Sequence, residues 1–376
     1  MHVDTNGHAP SRAAAASNAR GSGILRREAR TLHNAQLRDA PPGRRQLIEM
    51  RRGATRRVMS REAVPVVSLS RDGKSEKAMR RAFASARPFP HLVLDRFLSP
   101  EAARAAGRSF IPPHAPHEAS AAVPWCVYDN PLERKLTCSD AACFPQPLRR
   151  VLDAVTNASF VTLLRRITGV QDLQHDPHLH GAGLHFYPTG GGLGAHLDYS
   201  VHPITGKRRC LNLIVFLTER WEEGWGGNLH LYASDDEESG VREPAAQVIA
   251  PRFNRAVLFE ASDTSWHAVQ GPIACPLGAG RQSIAVYYTS ARRGTVVPRA
   301  RALFTVLPSE DRSSSEDSDG IRQLCRVRAG RRLEAEDVAA HVPHWVSPMR
   351  RYLDLLARAA GPQGAPDTAP RRVADD

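Results

Sequence analysis

The feature that most restricts the fold of this chain is a series of short strand-like segments between residues 183 and 290, separated by Gly, Pro, Asn and Asp. The predicted strands are 183–188, 194–199, 210–218, 228–233, 245–250, 255–260, 266–271 and 282–290. Polar and apolar residues alternate at 184–187, and β-branched residues cluster at 213–216, as is typical of strands. Eight short strands with few helices between them predict two packed antiparallel sheets, a double-stranded β-helix or jelly roll.

Helices are predicted on both sides of this core, so the expected fold class is mainly β with flanking helices (α+β). A helix begins after Ser99, which is followed by a proline and a glutamate. Residues 145–169 have helical spacing and predict two helices, the second capped by Asn157 and ended by Gly169. A final helix is expected from residue 347 to 361.

We expect five segments along the chain. They are a disordered arginine-rich arm at 1–62, a helical support region at 63–182, the jelly-roll core at 183–292, a C-terminal extension with a terminal helix at 293–361, and a disordered tail at 362–376. A short strand is predicted within 88–95. The proline- and histidine-rich stretch 111–145 and the acidic stretch 309–320 are interpreted as loops.

The positive charge of the chain lies mainly in its N-terminal arm. The whole chain carries a net charge of +12, and residues 1–62 hold 13 arginines against five acidic residues. Basicity confined to an arm argues against a nucleic-acid site in the folded part and restricts any such binding to the arm. The same arm is also compatible with organelle targeting.

Membrane and structural-zinc classes are not expected. No stretch reaches the roughly 18 consecutive apolar residues of a membrane span, so we expect a soluble, cytoplasmic protein. The six cysteines contain no C-x-x-C pair, which argues against a structural zinc site and leaves their disulfide status open.

A candidate metal site begins at His196-Leu197-Asp198. Side chains at i and i+2 of a strand point to the same face, so this imidazole and carboxylate can bind one cation. His267, at the start of the seventh predicted strand, offers a third ligand, and two histidines with one carboxylate form the facial arrangement of non-haem Fe(II) oxygenases. Arg281 and Ser283, on the last strand, could hold a carboxylate by charge-assisted hydrogen bonds.

At these residues the chain resembles the Fe(II)/2-oxoglutarate-dependent dioxygenases, specifically the prolyl-4-hydroxylase-like branch. The resemblance extends from Pro88 to about Arg292. It is also carried by the sequence Phe186-Tyr187-Pro188-Thr189-Gly190-Gly191 before the first ligand and by Trp225-Gly226-Gly227-Asn228-Leu229 after the third strand.

The resemblance implies a role for each matching residue. His196, Asp198 and His267 would bind Fe(II) and form the catalytic centre. Arg281 would bind the C5 carboxylate of 2-oxoglutarate, with Tyr187 and Ser283 assisting there. O₂ is then the second cosubstrate, and L-ascorbate is implied only by the family.

The chain departs from the family pattern at two places. Residues 272–278 lengthen the connection between His267 and Arg281, which leaves the effect on cosubstrate binding open. Phe216 stands where some members have a tyrosine. The carboxylate of Asp198 is retained, whereas relatives that halogenate replace it, so hydroxylation is favoured.

The expected function is therefore hydroxylation of an unactivated C–H bond, with succinate and CO₂ as co-products. A prolyl or other side chain of a protein or peptide is the leading substrate by family analogy. One alternative is the same chemistry on a free amino acid or small metabolite. Another is a catalytically silent jelly-roll module whose basic arm binds nucleic acid or an anionic surface.

Several further residues have weaker signals. Tyr199, just after the ligand pair, and Trp225 are candidate substrate contacts. His178 and His180 share a face and could form part of a second metal site, although lining of the pocket or exposure to solvent fits them better. Arg208 and Arg209 are interpreted as a solvated strand end.

Overall fold

A computed structural model describes residues 66–68, 75–115, 123–234, 240–291, 297–307, 309 and 315–360. The chain divides into one compact unit at 1–64 and a second at 65–376, and all described residues belong to the second. The predicted basic arm and the predicted C-terminal tail lie outside the described residues.

Thirteen strands form one continuous antiparallel sheet in the described part of the chain. They are β1 (His91–Leu94), β2 (Cys126–Asp129), β3 (Glu133–Cys138), β4 (Gln174–His175), β5 (Gly183–Pro188), β6 (Gly192–Leu197), β7 (Arg208–Phe216), β8 (Leu229–Ser234), β9 (Val241–Ile249), β10 (Ala256–Glu260), β11 (His267–Val269), β12 (Gly280–Ser290) and β13 (Leu303–Phe304). Strands β5 to β12 are the eight predicted strands, with bounds that differ by a few residues.

The strand order is that of a jelly roll. It runs β1-β10-β7-β12-β5-β3-β6-β11-β8-β9, so β5, β12, β7 and β10 form one group and β6, β11, β8 and β9 the other. Strand β3 pairs with both β5 and β6 and joins the two groups. The predicted fold class, a mainly β jelly roll with flanking helices, is confirmed.

Alternation along the strands separates a helix-facing side from an inner side. Leu184, Leu213 and Ile284 belong to the large apolar cluster shared with the helices. Their neighbours at the opposite parity, among them Ile214 and Ala285, line a cavity between the two groups of strands. This alternation gives one sheet both a packed outer face and a polar interior.

Seven α-helices surround the sheet in the described residues. They are α1 (Glu76–Ser85), α2 (Pro100–Ser109), α3 (Gln146–Thr156), α4 (Ala158–Thr168), α5 (Ser315–Gly330), α6 (Ala335–His341) and α7 (Arg350–Ala360). The Ser99 hydroxyl accepts from the backbone N–H of Ala102 and caps α2. Asn157 caps α4 by accepting from the N–H of Phe160, and Gly169 ends that helix with a φ of 82°. The predicted ends of these helices are confirmed.

Two predicted loops are wrong. The stretch 111–145 contains the hairpin of β2 and β3, and part of 309–320 belongs to α5. Strand β3 begins with three charged residues, Glu133, Arg134 and Lys135. Glu133 and Lys135 line the polar cavity, so the inward positions of this strand are charged and the alternation of apolar and polar residues is missing. The acidic start of α5 likewise obscured the apolar residues further along the same helix.

Part of the chain beyond the last core strand packs over the side of the barrel that bears β6. Residues 297–307, α5 and α6 are called the C-terminal cover below. Strand β13 pairs with β6, opposite Leu197 and His196. Leu324 of α5 and Val338 of α6 pack in one apolar cluster with Phe304. The cover is therefore joined to β6 by both backbone hydrogen bonds and a shared core.

A search of the described residues for a helix long and apolar enough to cross a membrane found none.

Candidate iron and 2-oxoglutarate site

Two histidine side chains meet across paired strands. His196 of β6 lies opposite His267 of β11 in the strand register, and their ring centroids are 4.1 Å apart. In each ring Nδ1 lies 2.9 Å from the backbone carbonyl oxygen two residues earlier, at Gly194 and Ser265. A ring that donates from Nδ1 to a carbonyl leaves the lone pair of Nε2 free, the form that binds a metal ion.

Asp198 lies directly after β6 and completes the group. Its carboxylate oxygens are 3.9 Å from Nε2 of His196 and 4.0 Å from Nε2 of His267. One ligand atom from each of the three residues lies within 4.8 Å of the others. The structure thus brings together the three predicted ligands as a compact face of two imidazoles and one carboxylate, a donor set that suits non-haem Fe(II).

Three further side chains hold the Asp198 carboxylate. Tyr287 donates its hydroxyl to Oδ1 at 3.1 Å, and Asn212 donates its amide to Oδ2 at 3.2 Å. The guanidinium of Arg209 lies 3.6 Å from Oδ1. Outer partners of this kind fix the orientation of a metal-binding carboxylate.

The protonation states agree with metal binding. Burial alone would raise the pKa of Asp198, but the charges at His267 and Arg209 outweigh it and hold that pKa at about 2. Burial lowers the pKa of His196 to about 3. At neutral pH the site therefore presents an ionised carboxylate and a neutral His196 ring, as ligation requires.

Arg281 lies in the same cavity with unused hydrogen-bond donors. Its side chain is 1% exposed, and neither Nε nor one terminal nitrogen has a hydrogen-bond partner. The guanidinium lies 5.0 Å from the ring centre of Tyr187 and 4.7 Å from that of Phe216. Burial lowers its pKa to about 10, so it stays charged at neutral pH. A buried, charged guanidinium whose donors have no acceptor in the protein fits a carboxylate ligand.

The other predicted cosubstrate residues lie beside this guanidinium. Tyr187 pairs with Arg281 across β5 and β12. Ser283 is 1% exposed, and its hydroxyl has no partner. In the long 272–278 connection, Ile273 exchanges backbone hydrogen bonds with the turn at 190–191, and β12 pairs with β5 from Gly280 onward. These residues fit the C5 carboxylate of 2-oxoglutarate.

Arg209 does not lie at a solvated strand end, and its interpretation as such is wrong. It is 1% exposed and lies between the rings of Tyr199 and Tyr287, 3.0 and 3.2 Å from their centres. The β7–β12 register shifts beside it, so that Thr289 pairs with Arg209 while Tyr288 pairs with Leu211. A shift of this kind reverses the facing expected from strict alternation.

The two weaker substrate candidates fall in different places. Tyr199 lines the cavity, and its hydroxyl donates to the backbone carbonyl of His180. Trp225 ends a short 3-10 turn and packs edge-on against Trp221, at 5.1 Å, away from the lining of the described cavity. Its contact with substrate stays a prediction.

The second histidine cluster has a structural role in the described part of the chain. Asp176 accepts from the backbone N–H groups of His178 and His180, and one of its oxygens lies 3.1 Å from Nε2 of His202. Among the described residues, only His196, Asp198 and His267 form a group able to hold a metal ion. Asp176 thus organises the loop that brings His180 to the cavity wall.

Residues 182–289, the segment that contains all of these site residues, match the family model of the 2OG-Fe(II) oxygenase superfamily. This segment of the chain is therefore similar to the members of that superfamily. The predicted resemblance is confirmed, and with it the prediction of a 2-oxoglutarate-dependent enzyme at the level of the superfamily.

One curated relative of the chain is a prolyl hydroxylase. Prolyl 3-hydroxylase OGFOD1 of Xenopus laevis is 38% identical over 61 residues, which are 16% of this chain and 12% of that protein. The match therefore spans about an eighth of the curated relative.

Two solved structures show weaker likeness. A Trichoplax adhaerens prolyl hydroxylase bound to a peptide of hypoxia inducible factor is 16% identical, covering 59% of this chain and 94% of that one, with a TM-score of 0.41. A Pseudomonas putida prolyl-4-hydroxylase is 16% identical, covering 57% and 99%, with a TM-score of 0.39.

Proposed function

We propose that this oxygenase is an Fe(II)- and 2-oxoglutarate-dependent hydroxylase of an unactivated C–H bond. The observation that carries the proposal is a single cavity holding both the His196–Asp198–His267 group and the unpartnered guanidinium of Arg281. A cation site and a carboxylate site in one enclosed space match a metal and a dicarboxylate that bind together.

The site residues would have two roles, metal binding and cosubstrate binding. His196, Asp198 and His267 would hold Fe(II), and Arg281, assisted by Ser283 and Tyr187, would anchor the C5 carboxylate of 2-oxoglutarate. Fe(II) with this cosubstrate supplies oxidation of the C–H bond by O₂, with succinate and CO₂ as co-products.

The surroundings of the metal group support the same function. Tyr287 and Asn212 fix Asp198, and thereby the direction in which its oxygen meets the metal. Burial of the whole group at 7% exposure or less excludes bulk water from the reacting centre.

Two substrate classes are open to this chemistry. A prolyl side chain of a protein or peptide is supported by the family resemblance and by the name of the curated relative. A free amino acid or small metabolite is supported by the wall of the cavity, which includes residues of the C-terminal cover. The retained Fe(II) ligands and Arg281 argue against a catalytically silent binding module.

The test is anaerobic addition of 2-oxoglutarate to purified protein loaded with Fe(II), followed by visible absorption. We expect the charge-transfer band of 2-oxoglutarate bound to Fe(II). Asp198→Ala should weaken the band through loss of metal, and Arg281→Gln should shift its midpoint to about 10- to 100-fold higher 2-oxoglutarate, because a charge-assisted hydrogen bond is worth roughly 1.5–3 kcal/mol.

The matched control is Arg326→Gln, which removes an exposed arginine of α5. Its titration should equal that of wild type. No band from folded wild-type protein with Fe(II) present would refute the proposed function and favour the binding-module alternative.

A further inference from the structure

The cavity wall holds more positive charge than iron and cosubstrate use. Its basic side chains are Lys135, Arg209, Arg281, Arg301 and Arg328, and its carboxylates are Glu133 and Asp198. The charges of a divalent metal and of dianionic 2-oxoglutarate cancel each other. Three positive charges therefore remain in excess when both are bound.

Ion pairs within the wall identify where this excess lies. Arg328 donates to Glu133 at 2.7 Å, and Arg209 lies 3.6 Å from Asp198. Lys135 is 3.8 Å from the same Glu133 that Arg328 engages. Since Arg281 is assigned to the cosubstrate, the basic groups with the least compensation are Lys135 and Arg301.

Arg301 has an unsatisfied donor at the cavity. One of its terminal nitrogens is buried and has no hydrogen-bond partner. Leaving a buried charged donor unpaired is costly, more so than for a neutral group. Arg281, the proposed carboxylate anchor, also has buried donors without a partner, although its whole side chain is buried and that of Arg301 only partly.

The backbone that carries Arg301 is firmly attached beside the metal group. The N–H of Ser200 donates to the carbonyl of Arg299, and the N–H of Thr305 donates to the carbonyl of Ala195. Phe304 stacks on the ring of His196 with centroids 5.1 Å apart. Arg301 is thus held by anchors on both sides, next to the strand that bears the first ligand.

We propose that the substrate carries an oxyanion, which Arg301 binds with support from Lys135, and that this contact places the attacked C–H bond beside the iron. The proposal rests on the hydroxylase function and names the chemistry of its substrate. The planar fork of an arginine matches a carboxylate or phosphate by two parallel hydrogen bonds. Such an oxyanion can belong to a small molecule or to a peptide.

An acceptor elsewhere in the wall of the same cavity favours a free amino acid as its source. His185 is partly buried, its pKa is lowered to about 3 mainly by the burial of its ring, and it forms a hydrogen bond with the Gly181 backbone. Its Nε2 has no partner. A neutral ring of this kind can accept from an N–H or O–H group, and a free amino acid offers that donor together with a carboxylate.

The experiment measures substrate-stimulated succinate formation. The probes are free L-amino acids, including L-proline, the matching carboxamides, and proline peptides with amidated ends that carry or lack an aspartate or phosphoserine. We expect stimulation by free acids and a loss of about 10- to 100-fold in kcat/KM for the carboxamides. Stimulation by acidic peptides alone would support the proposed oxyanion and show that it belongs to a polypeptide substrate.

Variants of Arg301 distinguish an effect on substrate binding from an effect on folding or on cosubstrate binding. Arg301→Gln should raise KM for the acid about 10- to 100-fold while the 2-oxoglutarate absorption band and its midpoint stay as in wild type. Arg301→Lys should recover part of this loss because it keeps the charge, and Arg326→Gln should match wild type.

Two results would overturn the proposal. One is equal stimulation by carboxamides and free acids, and the other is an unchanged KM in Arg301→Gln. Absence of the absorption band from wild-type protein would instead refute the hydroxylase function. Failure of the substrate proposal and failure of the hydroxylase function are therefore distinguishable.

Discussion

The barrel strands and the C-terminal cover contribute to one cavity in different ways. Strands β6, β11 and β12 place His196, His267 and Arg281 by pairing and alternation. The cover lies beyond the matched family segment, which ends at residue 289, and adds Arg301 and Arg328 to the same wall. The proposed iron and cosubstrate contacts thus come from the barrel, and the proposed substrate contact of Arg301 comes from the cover.

The largest stability effect should come from the buried ion pair that joins the two regions. Arg328 of the cover donates to Glu133 of β3, and both are buried. Arg328→Met leaves Glu133 buried without its main partner, which typically costs about 3–5 kcal/mol. We expect a loss of about 3 kcal/mol in the free energy of unfolding, measured by urea denaturation, because Lys135 partly compensates.

The double variant Glu133→Gln/Arg328→Met sharpens this test. It removes both charges, so most of the lost stability should return. A single-variant loss below about 1 kcal/mol would mean that this pair does not hold the cover to the barrel.

A second effect should be a pH dependence of the free energy of unfolding, caused by His185 in the barrel. Burial lowers the pKa of His185 to about 3, so the unfolded chain takes up a proton near pH 6.5 that the folded chain excludes. Stability should fall as pH drops from about 6.5 toward 3, by about 1.4 kcal/mol per pH unit for this ring.

His185→Gln should reduce that slope by about one proton, measured by urea denaturation in EDTA between about pH 6 and 4.5. His178→Gln is the control, because His178 is exposed. Equal slopes in wild type and His185→Gln would show that the ring is not buried in its neutral form.

The smallest effect on stability should come from α4, a helix that contributes no residue to the cavity. Asn157 caps α4 through the N–H of Phe160 at 2.9 Å. Asn157→Ala should lower the free energy of unfolding by about 1 kcal/mol. The midpoint of the 2-oxoglutarate titration should not change, and a shift would imply that the support helices control the site.

The sequence predicted the parts of the molecule that follow local rules. The eight core strands, the capped helices α2 and α4, and the set His196, Asp198, His267 all depend on period-2 alternation or on capping residues. Strand β3 was missed because charged residues of its sequence face a polar cavity instead of solvent. Helix α5 was missed because its first turn is acidic and serine-rich.

The missed site residues required tertiary information. Tyr287 shares the parity of Arg281 and Ser283 on β12, so alternation alone could have indicated it. The inward position of Arg209 depends on a register shift, which a regular alternation does not predict. Arg301 reaches the cavity because the cover folds back onto β6, and nothing in its local sequence indicates that path.

The stacking of Phe304 on His196 predicts a thermodynamic link between metal binding and attachment of the cover. The ring of His196 contacts Phe304, and the backbone of the same histidine pairs with β13. A cation that restrains His196 would therefore also restrain β13, and by reciprocity a firmly attached cover would raise the affinity for that cation by the same free energy. Chelation should accordingly increase amide hydrogen exchange in 303–305, at the cover, as well as at the ligands themselves.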